Sequence, residues 1–401
     1  MRASETNSAA AKAINAFGID LLRKTGKPNA NVLISPYSIQ SAMAMAYAGA
    51  DGVTRDEMAR VLHYPKDEGE LDRSFAELRR MLEREAKESA ARSEARKKYG
   101  DTNDPVTLSI ANRLFGQSGY DFRAPFLALL KDSYDAPFEP MDFIGGASAA
   151  TGRINGWVEN QTHGHIRGII PDGVLNSLTR LVLVNAVYLK APWGEKFSVS
   201  LTKSGAFHLT EGKGVKVPMM NRTDDFPYAK GKGFSMVKLP YSGYKLWFLI
   251  ILPDKLDGLA EAEPKLSPMA IAEANWQMHE VTLQMPRLRL EPEPLALSQT
   301  LQALGMKTAF DKPPGSANFD RMAPRRPNDY LLLSEVFHKT FLKLDEEGTE
   351  AAAATAMVAM AMGIHEEPKR VEMKVDHPFL FAIQHAGTGT LLFLGRVADP
   401  R

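Results

Sequence analysis

Residues 346–362, EEGTEAAAATAMVAMAM, constrain this chain more than any other stretch, because they suit two incompatible conformations. Glu346, Glu347, Gly348, Thr349 and Glu350 have the polar, flexible character of an exposed loop. From Ala351 to Met362 no charge appears. On the two-residue period of a strand, one face carries Thr349, Ala351, Ala353, Thr355, Met357 and Ala359. That face is uncharged, and its first four members are small. The other face carries Glu350, Ala352, Ala354, Ala356, Val358 and Met360. Such a segment fits between two strands of a sheet, where only small uncharged side chains are tolerated. A buried alanine-rich helix fits the same residues, since Ala is the strongest helix former. The segment alone leaves both readings open.

Its surroundings favour the strand. Leu331 to Asp345, through Ser334, Val336, His338 and Phe341, reads as one long strand feeding the segment. Val371–Val375, Phe379–Ile383 and Leu391–Val397 read as strands downstream. In this setting FHKTFLKLDEEGTEAAAATA (337–356) and DHPFLFAIQHAGTGTLLFLGRVADP (376–400) resemble the strand-plus-hinge pattern and the C-terminal signature of the serpin family of serine protease inhibitors. The resemblance extends along the chain. NVLISPYSIQSAMAMAYAGA (31–50) is similar to the family's second helix, and INGWVENQTHGHIRGII (154–170) to the helix across its main sheet. LVLVNAVYLKAPWGEKF (181–197) resembles the strand ending at that sheet's opening, and LPYSGYKLWFLIILPD and LQALGMKTAFD fit as well.

Composition agrees. The 401 residues are 44% hydrophobic and 8% aromatic, enough for a sizeable core, and no Pro/Ser-rich linker divides them. A net charge of +1 argues against a nucleic-acid partner. With no cysteine, the chain has no disulfide, thiolate metal site or cysteine nucleophile, and its redox compartment is left open. The uncharged run Ala351–Ile364 falls short of the roughly 20 residues that span a bilayer. No signal peptide is evident after Met1. The polar start RASETNS equally suits a trimmed mature end, and we expect an extracellular or periplasmic location, with a cytoplasmic one open.

Local patterns place the elements. Ala9–Leu22 has helical spacing, with Ala13, Ile14, Phe17 and Leu21 on one face. Asn31–Ile34 is a short strand, and Ser35-Pro36 starts a helix through Tyr47. Val106–Phe115, Leu181–Leu189 and Phe248–Leu252 read as buried strands. Val281–Leu290 alternates but shifts parity at Pro286, as a bulge would cause. Leu297–Leu304 is a helix closed by Gly305. The irregular order of helices and strands points to α+β.

Other motifs carry less. His163-Gly164-His165 lacks further ligands at metal spacing and reads as a turn. Arg92, Arg96, Lys97 and Lys98 lie in a charged insertion, 84–104, where some serpins bind anionic polymers. Glu83, Glu85, Glu88 and Glu94 are interleaved with them, which favours a solvated helix or loop. Gly387-Thr388-Gly389-Thr390 is a hairpin turn without the helix of a dinucleotide site. Neither G-x-S-x-G nor H-E-x-x-H is present, so a hydrolase reading lacks a nucleophile.

The resemblance implies an α+β fold in one serpin domain, 1–401, with three β-sheets, about eight to nine helices and a reactive-centre loop at 346–375. It implies a hinge at Glu346, Gly348, Thr349, Glu350, Ala351, Ala352, Ala353, Ala354 and Thr355. Counted from Glu346, the scissile bond falls at Met362–Gly363, with Met360 and Ala361 as alternative bait positions. Ser35, Ser38, Asn185 and His338 match a polar cluster beneath the sheet centre, and Trp193 the tryptophan where insertion begins. The implied partner is an elastase-, subtilisin- or chymotrypsin-like serine protease, held as a covalent acyl complex by a monomer capable of loop–sheet polymerisation. No cofactor, metal, nucleic acid or membrane is expected, and the chemistry belongs to the protease, so the chain is no enzyme. A non-inhibitory carrier, chaperone or storage serpin is the alternative; charges or Pro on the inward hinge face, its usual sign, are missing.

Overall fold

The computed structural model describes residues 8–27, 29–99, 104–210, 212–326, 329–349 and 369–401. The helices in chain order are α1 (Ala9–Lys24), α2 (Pro36–Gly49), α3 (Gly52–Val61), α4 (Glu68–Lys97), α5 (Ala124–Tyr134) and α6 (Phe143–Gln161). Three short ones follow, α7 (Leu259–Ala262), α8 (Pro268–Ala272) and α9 (Ser298–Ala303). The first eight strands are β1 (Val32–Ile34), β2 (Thr107–Gln117), β3 (Glu139–Met141), β4 (Leu181–Pro192), β5 (Lys203–His208), β6 (Gly214–Lys230), β7 (Phe234–Pro240) and β8 (Leu246–Pro253). The rest are β9 (Gln277–Pro286), β10 (Leu288–Leu290), β11 (Leu295–Ala296), β12 (Leu333–Asp345), β13 (Gly348–Thr349), β14 (Arg370–Lys374), β15 (Phe379–His385) and β16 (Leu391–Val397).

The main sheet has β12 and β4 at its centre, parallel and in register from Leu333↔Leu181 to Phe341↔Tyr188 apart from one irregularity after Leu333. β2 runs antiparallel to β4 on one side, and β3 extends it. On the other side β10 and β11 pair with β12. The remaining nine strands form one hydrogen-bonded network. Strand β6 is what joins it: its last residues pair with β7, and its centre and start pair with β9 and β5. Two of the three expected sheets are thus continuous through a single strand.

The two-residue period of β4 explains why the main sheet sits inside the molecule. Leu181, Leu183, Val187 and Leu189 face a large core shared with α1 and α2. Val182, Val184, Ala186 and Tyr188 face a second core under α6, with Phe143, Ile154 and Val158. Helix α2 fills the space between the sheets, and all its residues except Ser41 and Ala48 are buried. Its start follows the sequence expectation: the Ser35 hydroxyl accepts from Ser38 N, and Pro36 occupies the first turn. Among the shorter elements, Gly305 ends the α9 segment with φ 109°.

The parity shift at Pro286 has a different cause from the expected bulge. Strand β9 ends there, and after Arg287 the chain leaves the nine-stranded network and enters the main sheet as β10. The charged insertion is largely helix, since α4 runs on to Lys97. Its basic residues have acidic neighbours one turn away, Arg92 at 3.7 Å from Glu88 and Lys97 at 2.8 Å from Glu94. His163 and Gly164 form a turn with positive φ, and the His165 ring lies flat on Tyr188 at 4.1 Å. Among the described residues no group of three His, Cys, Asp or Glu is placed to hold a metal. No described helix is long and apolar enough to cross a membrane.

Candidate functional site: the sheet opening and the hinge

Above Phe341 and Tyr188 the two central strands stop pairing with each other and admit a third. The chain leaves β12 at Asp345, turns through Glu346 and Glu347, and returns as β13. Gly348 pairs with Asp345 and Pro192, and Thr349 with Leu344 and Ala191. The start of the hinge is therefore buried and not exposed as its polarity suggests. Gly348 permits this close approach. At φ 143° it lies where L side chains are strained, and a Cβ would come within 2.3 Å of Ala191 O and 2.6 Å of Pro192 Cα. Thr349 is fully buried, and its hydroxyl lies 2.6 Å from Tyr241 Oη.

Each carboxylate of the turn is neutralised, which is why a polar stretch can be buried. Glu346 takes two hydrogen bonds of 2.9 Å from Arg287 Nε and one of 2.6 Å from Nη2, with Thr202 Oγ1 at 2.5 Å. Burial pushes its carboxyl up, but the Arg287 and Thr202 hydrogen bonds outweigh that and hold it below the ordinary range. Glu347 pairs with Lys196 at 2.5 Å. Trp193 braces the turn. Its indole N–H donates to Asp345 O at 2.9 Å, its backbone N–H donates to Glu347 O, and its ring stacks on Tyr241 at 4.7 Å. The sequence pointed to Trp193 but missed Tyr241, Arg287, Lys196 and Thr202.

Ser35, Ser38, Asn185 and His338 meet beneath the centre of the sheet, joined by Asn112, which the sequence reading missed. Register explains the row: Asn112 is opposite Asn185, and Asn185 opposite His338. Ser35 N donates to His338 Nε2 at 3.0 Å, which leaves the proton on Nδ1 to donate to Asn185 Oδ1. The Asn185 amide donates to Ser38 Oγ and Asn112 Oδ1. Ser35 Oγ donates to Leu392 O at 2.6 Å. Asn112 offered one available signal, a polar residue on the face of β2 shared with Ile110 and Leu114. Among the described residues no carboxylate hydrogen-bonds to His338, and both serines are buried, which is not the arrangement of a hydrolytic triad.

Burial lowers the His338 pKa to about 3. The folded value lies below the unfolded one, near 6.5, so between these values the unfolded chain binds a proton that the folded chain refuses. This contribution to stability is complete above pH 6.5 and lost as pH falls toward 3. At about 1.4 kcal/mol per pH unit, moving from pH 7 to pH 4.5 costs about 3 kcal/mol. We expect His338→Gln to shallow the fall in unfolding midpoint over that range, measured beside the parent. Identical slopes would show that another group carries the effect.

The hinge residues Glu350–Thr355 and the bait positions Met360, Ala361, Met362 and Gly363 lie outside the described residues. Beyond them, residues 370–374 at the far end of the expected loop form β14, parallel to β9.

The chain is similar to known proteins over nearly its whole length. The chain belongs to the serpin family: the family model described as Serpin (serine protease inhibitor) matches residues 12–400. An uncharacterised serpin-like protein of Thermococcus kodakarensis is 38% identical over 393 residues, covering 97% of this chain and 85% of that protein. The leukocyte elastase inhibitor of Xenopus tropicalis is 37% identical over 394 residues, covering 96% and 97%. The native stressed conformation of the Arabidopsis serpin AtSerpin1 is similar with a TM-score of 0.81 and 28% identity, covering 98% of each chain. These relatives give the expected extracellular or periplasmic location no support.

Proposed function

We propose that this chain inhibits serine proteases of elastase-, subtilisin- or chymotrypsin-like specificity as a suicide substrate. The observation that carries the reading is the seat of Gly348 and Thr349 between β12 and β4, which makes the first rung of the strand that would follow them. The protease serine attacks the bait carbonyl and forms an acyl ester. Cleavage frees the segment after Thr349 to continue down the seam between β4 and β12. About 14 residues rising about 3.3 Å each reach roughly 45 Å. A globule of this length has a radius of gyration of about 21 Å, so the tethered protease is carried across its full height. The row Asn112–Asn185–His338 lies directly behind that seam, where its hydrogen bonds can exchange partners as the strands part.

The bait reads Ala359-Met360-Ala361-Met362, uncharged and unbranched, which suits a medium-sized apolar pocket. The similarity to leukocyte elastase inhibitors supports the same class of target. Incubation with pancreatic elastase, subtilisin and chymotrypsin should give an SDS-stable adduct and a released peptide beginning at Gly363. A peptide beginning at Ala361 or Met362 moves the bait back within the same mechanism. Clean cleavage by every enzyme without adduct, or a peptide beginning after Lys369, would overturn the reading.

A further inference from the structure

On β7 the two-residue period puts Met236 and Lys238 on one face of the sheet. Register supplies their neighbours on that face. Leu249 of β8 is opposite Lys238, and Ala229 of β6 is opposite Met236. Pro227 shares the face with Ala229, and Met278 of β9 is opposite Pro227. None of these carries a charge, so Lys238 places a cation in an apolar surface. Trp276, two residues before Met278, covers it. Its indole N–H donates to Ile271 O at 3.0 Å, which fixes the ring, and Lys238 Nζ lies 4.1 Å from the ring centroid. Among the described residues no carboxylate or other hydrogen-bond acceptor reaches that amine. The next acids on the face, Asp225 and Glu280, are opposite each other one rung further on, and Glu280 is taken by Arg370 at 2.8 Å. A ring face is a weak substitute for the water an ammonium loses, and burial pushes the Lys238 pKa down to about 8. The side chain is only half-buried, and its Nζ keeps contact with solvent.

We propose that Lys238 is a covalent modification site for small apolar aldehydes, its amine forming an imine at the carbonyl carbon while the body of the aldehyde lies against Trp276. A lysine set in apolar surroundings is a nucleophile, because more of it is neutral near pH 7. The nitrogen lone pair adds to the carbonyl carbon, and the C=O π pair moves to oxygen to give a carbinolamine. That oxygen then leaves as water with the two amine protons, and the C=N bond forms. No electrons are gained or lost, so the step needs neither oxidant nor reductant. The neutral imine suits the apolar face better than the ammonium it replaces. An aldehyde that carries a carboxylate would instead exchange one unpaired charge for another. The site does not depend on the inhibitory reading, and failure of the adduct assay would leave it standing.

The test treats the intact protein at about pH 7.5 with benzaldehyde or with glyoxylate, fixes the imine with cyanoborohydride, and reads each labelled lysine by peptide mass spectrometry. At this pH about a quarter of an amine with a pKa of about 8 is neutral, against about one part in a thousand of an ordinary lysine. Lower basicity gives back part of that gain. Benzaldehyde should therefore label Lys238 about tenfold faster than the exposed Lys66, and glyoxylate should show no such preference. Met278→Asp, at an exposed position on the same face, sets a carboxylate beside the ammonium and should bring Lys238 down to the rate of Lys66. Met278→Gln should keep the preference. Equal labelling of Lys238 and Lys66 by benzaldehyde, the same preference with glyoxylate, or a preference that survives Met278→Asp would overturn the proposal.

Discussion

Thr349→Arg should convert the inhibitor into a substrate, raising its stoichiometry of inhibition from near one to above ten; the partition of deacylation over insertion must then rise from about 0.1 by about ninetyfold, which about 2.7 kcal/mol of added barrier produces. In the intact protein Thr349 is fully buried between Leu344 and Ala191, with Tyr241 as its hydroxyl partner. Among the described residues of the turn a guanidinium there finds no free acid, because Asp345 is held by Lys343, Glu346 by Arg287 and Glu347 by Lys196. Burying it unpaired costs several kcal/mol, and removing the hydroxyl leaves the Tyr241 phenol without that partner. The variant therefore starts with β13 outside the sheet, and must carry the charge in as the first step of insertion. Each 1.4 kcal/mol that appears in the barrier slows insertion about tenfold, so a cost of about 3 kcal/mol lets deacylation win.

Two controls separate this from general damage. Thr349→Ser keeps the hydroxyl and should inhibit like the parent. The intact Arg variant should unfold within a few degrees of the parent, because only two residues leave their seat. An Arg variant that inhibits with unchanged stoichiometry would mean that Thr349 is not on the face that enters the sheet.

How far the sequence foretold this site depends on whether the information was local. The start of α2 was readable because Ser35 and Pro36 act on their own turn, and β4 because its apolar run is continuous. Asn112 was not readable, since it acquires its role only when the register of β2 on β4 sets it beside Asn185. Arg287 was hidden for a related reason. Parity shows that a strand is interrupted at Pro286, but not that the following residues join another sheet. The burial of Glu346 was misread because polarity reports only the cost of leaving water. The partners that offset this cost, Arg287 and Thr202, come from distant strands and connections. Positions fixed by their neighbours in sequence were legible, and those fixed by what lies across a sheet were not.

Cleavage of the loop should raise the thermal transition by about 10 °C or more. In the intact fold β4 and β12 pair with each other below Phe341 and Tyr188, so the seam holds one ladder. A strand running on from Thr349 would replace that ladder with two. The net gain is about one hydrogen bond per inserted residue, about 1 kcal/mol each. With burial of the small face at about 25 cal/mol per Å2, twelve or so residues yield on the order of 10 kcal/mol. Unfolding entropies of about 2.1 cal/mol/K per residue give about 0.8 kcal/mol per kelvin for 401 residues, hence a shift of about 12 °C. On the inhibitory reading proposed above, the ties at Thr349 in the main sheet and at β14 beside β9 would hold the intact chain out of this state and trap it kinetically. Calorimetry before and after nicking within 356–363 measures the difference. The same nick in Thr349→Arg should produce a smaller rise, since its strand must enter without its first residue. An unchanged or lowered transition in the cleaved parent would mean that the loop does not enter the sheet.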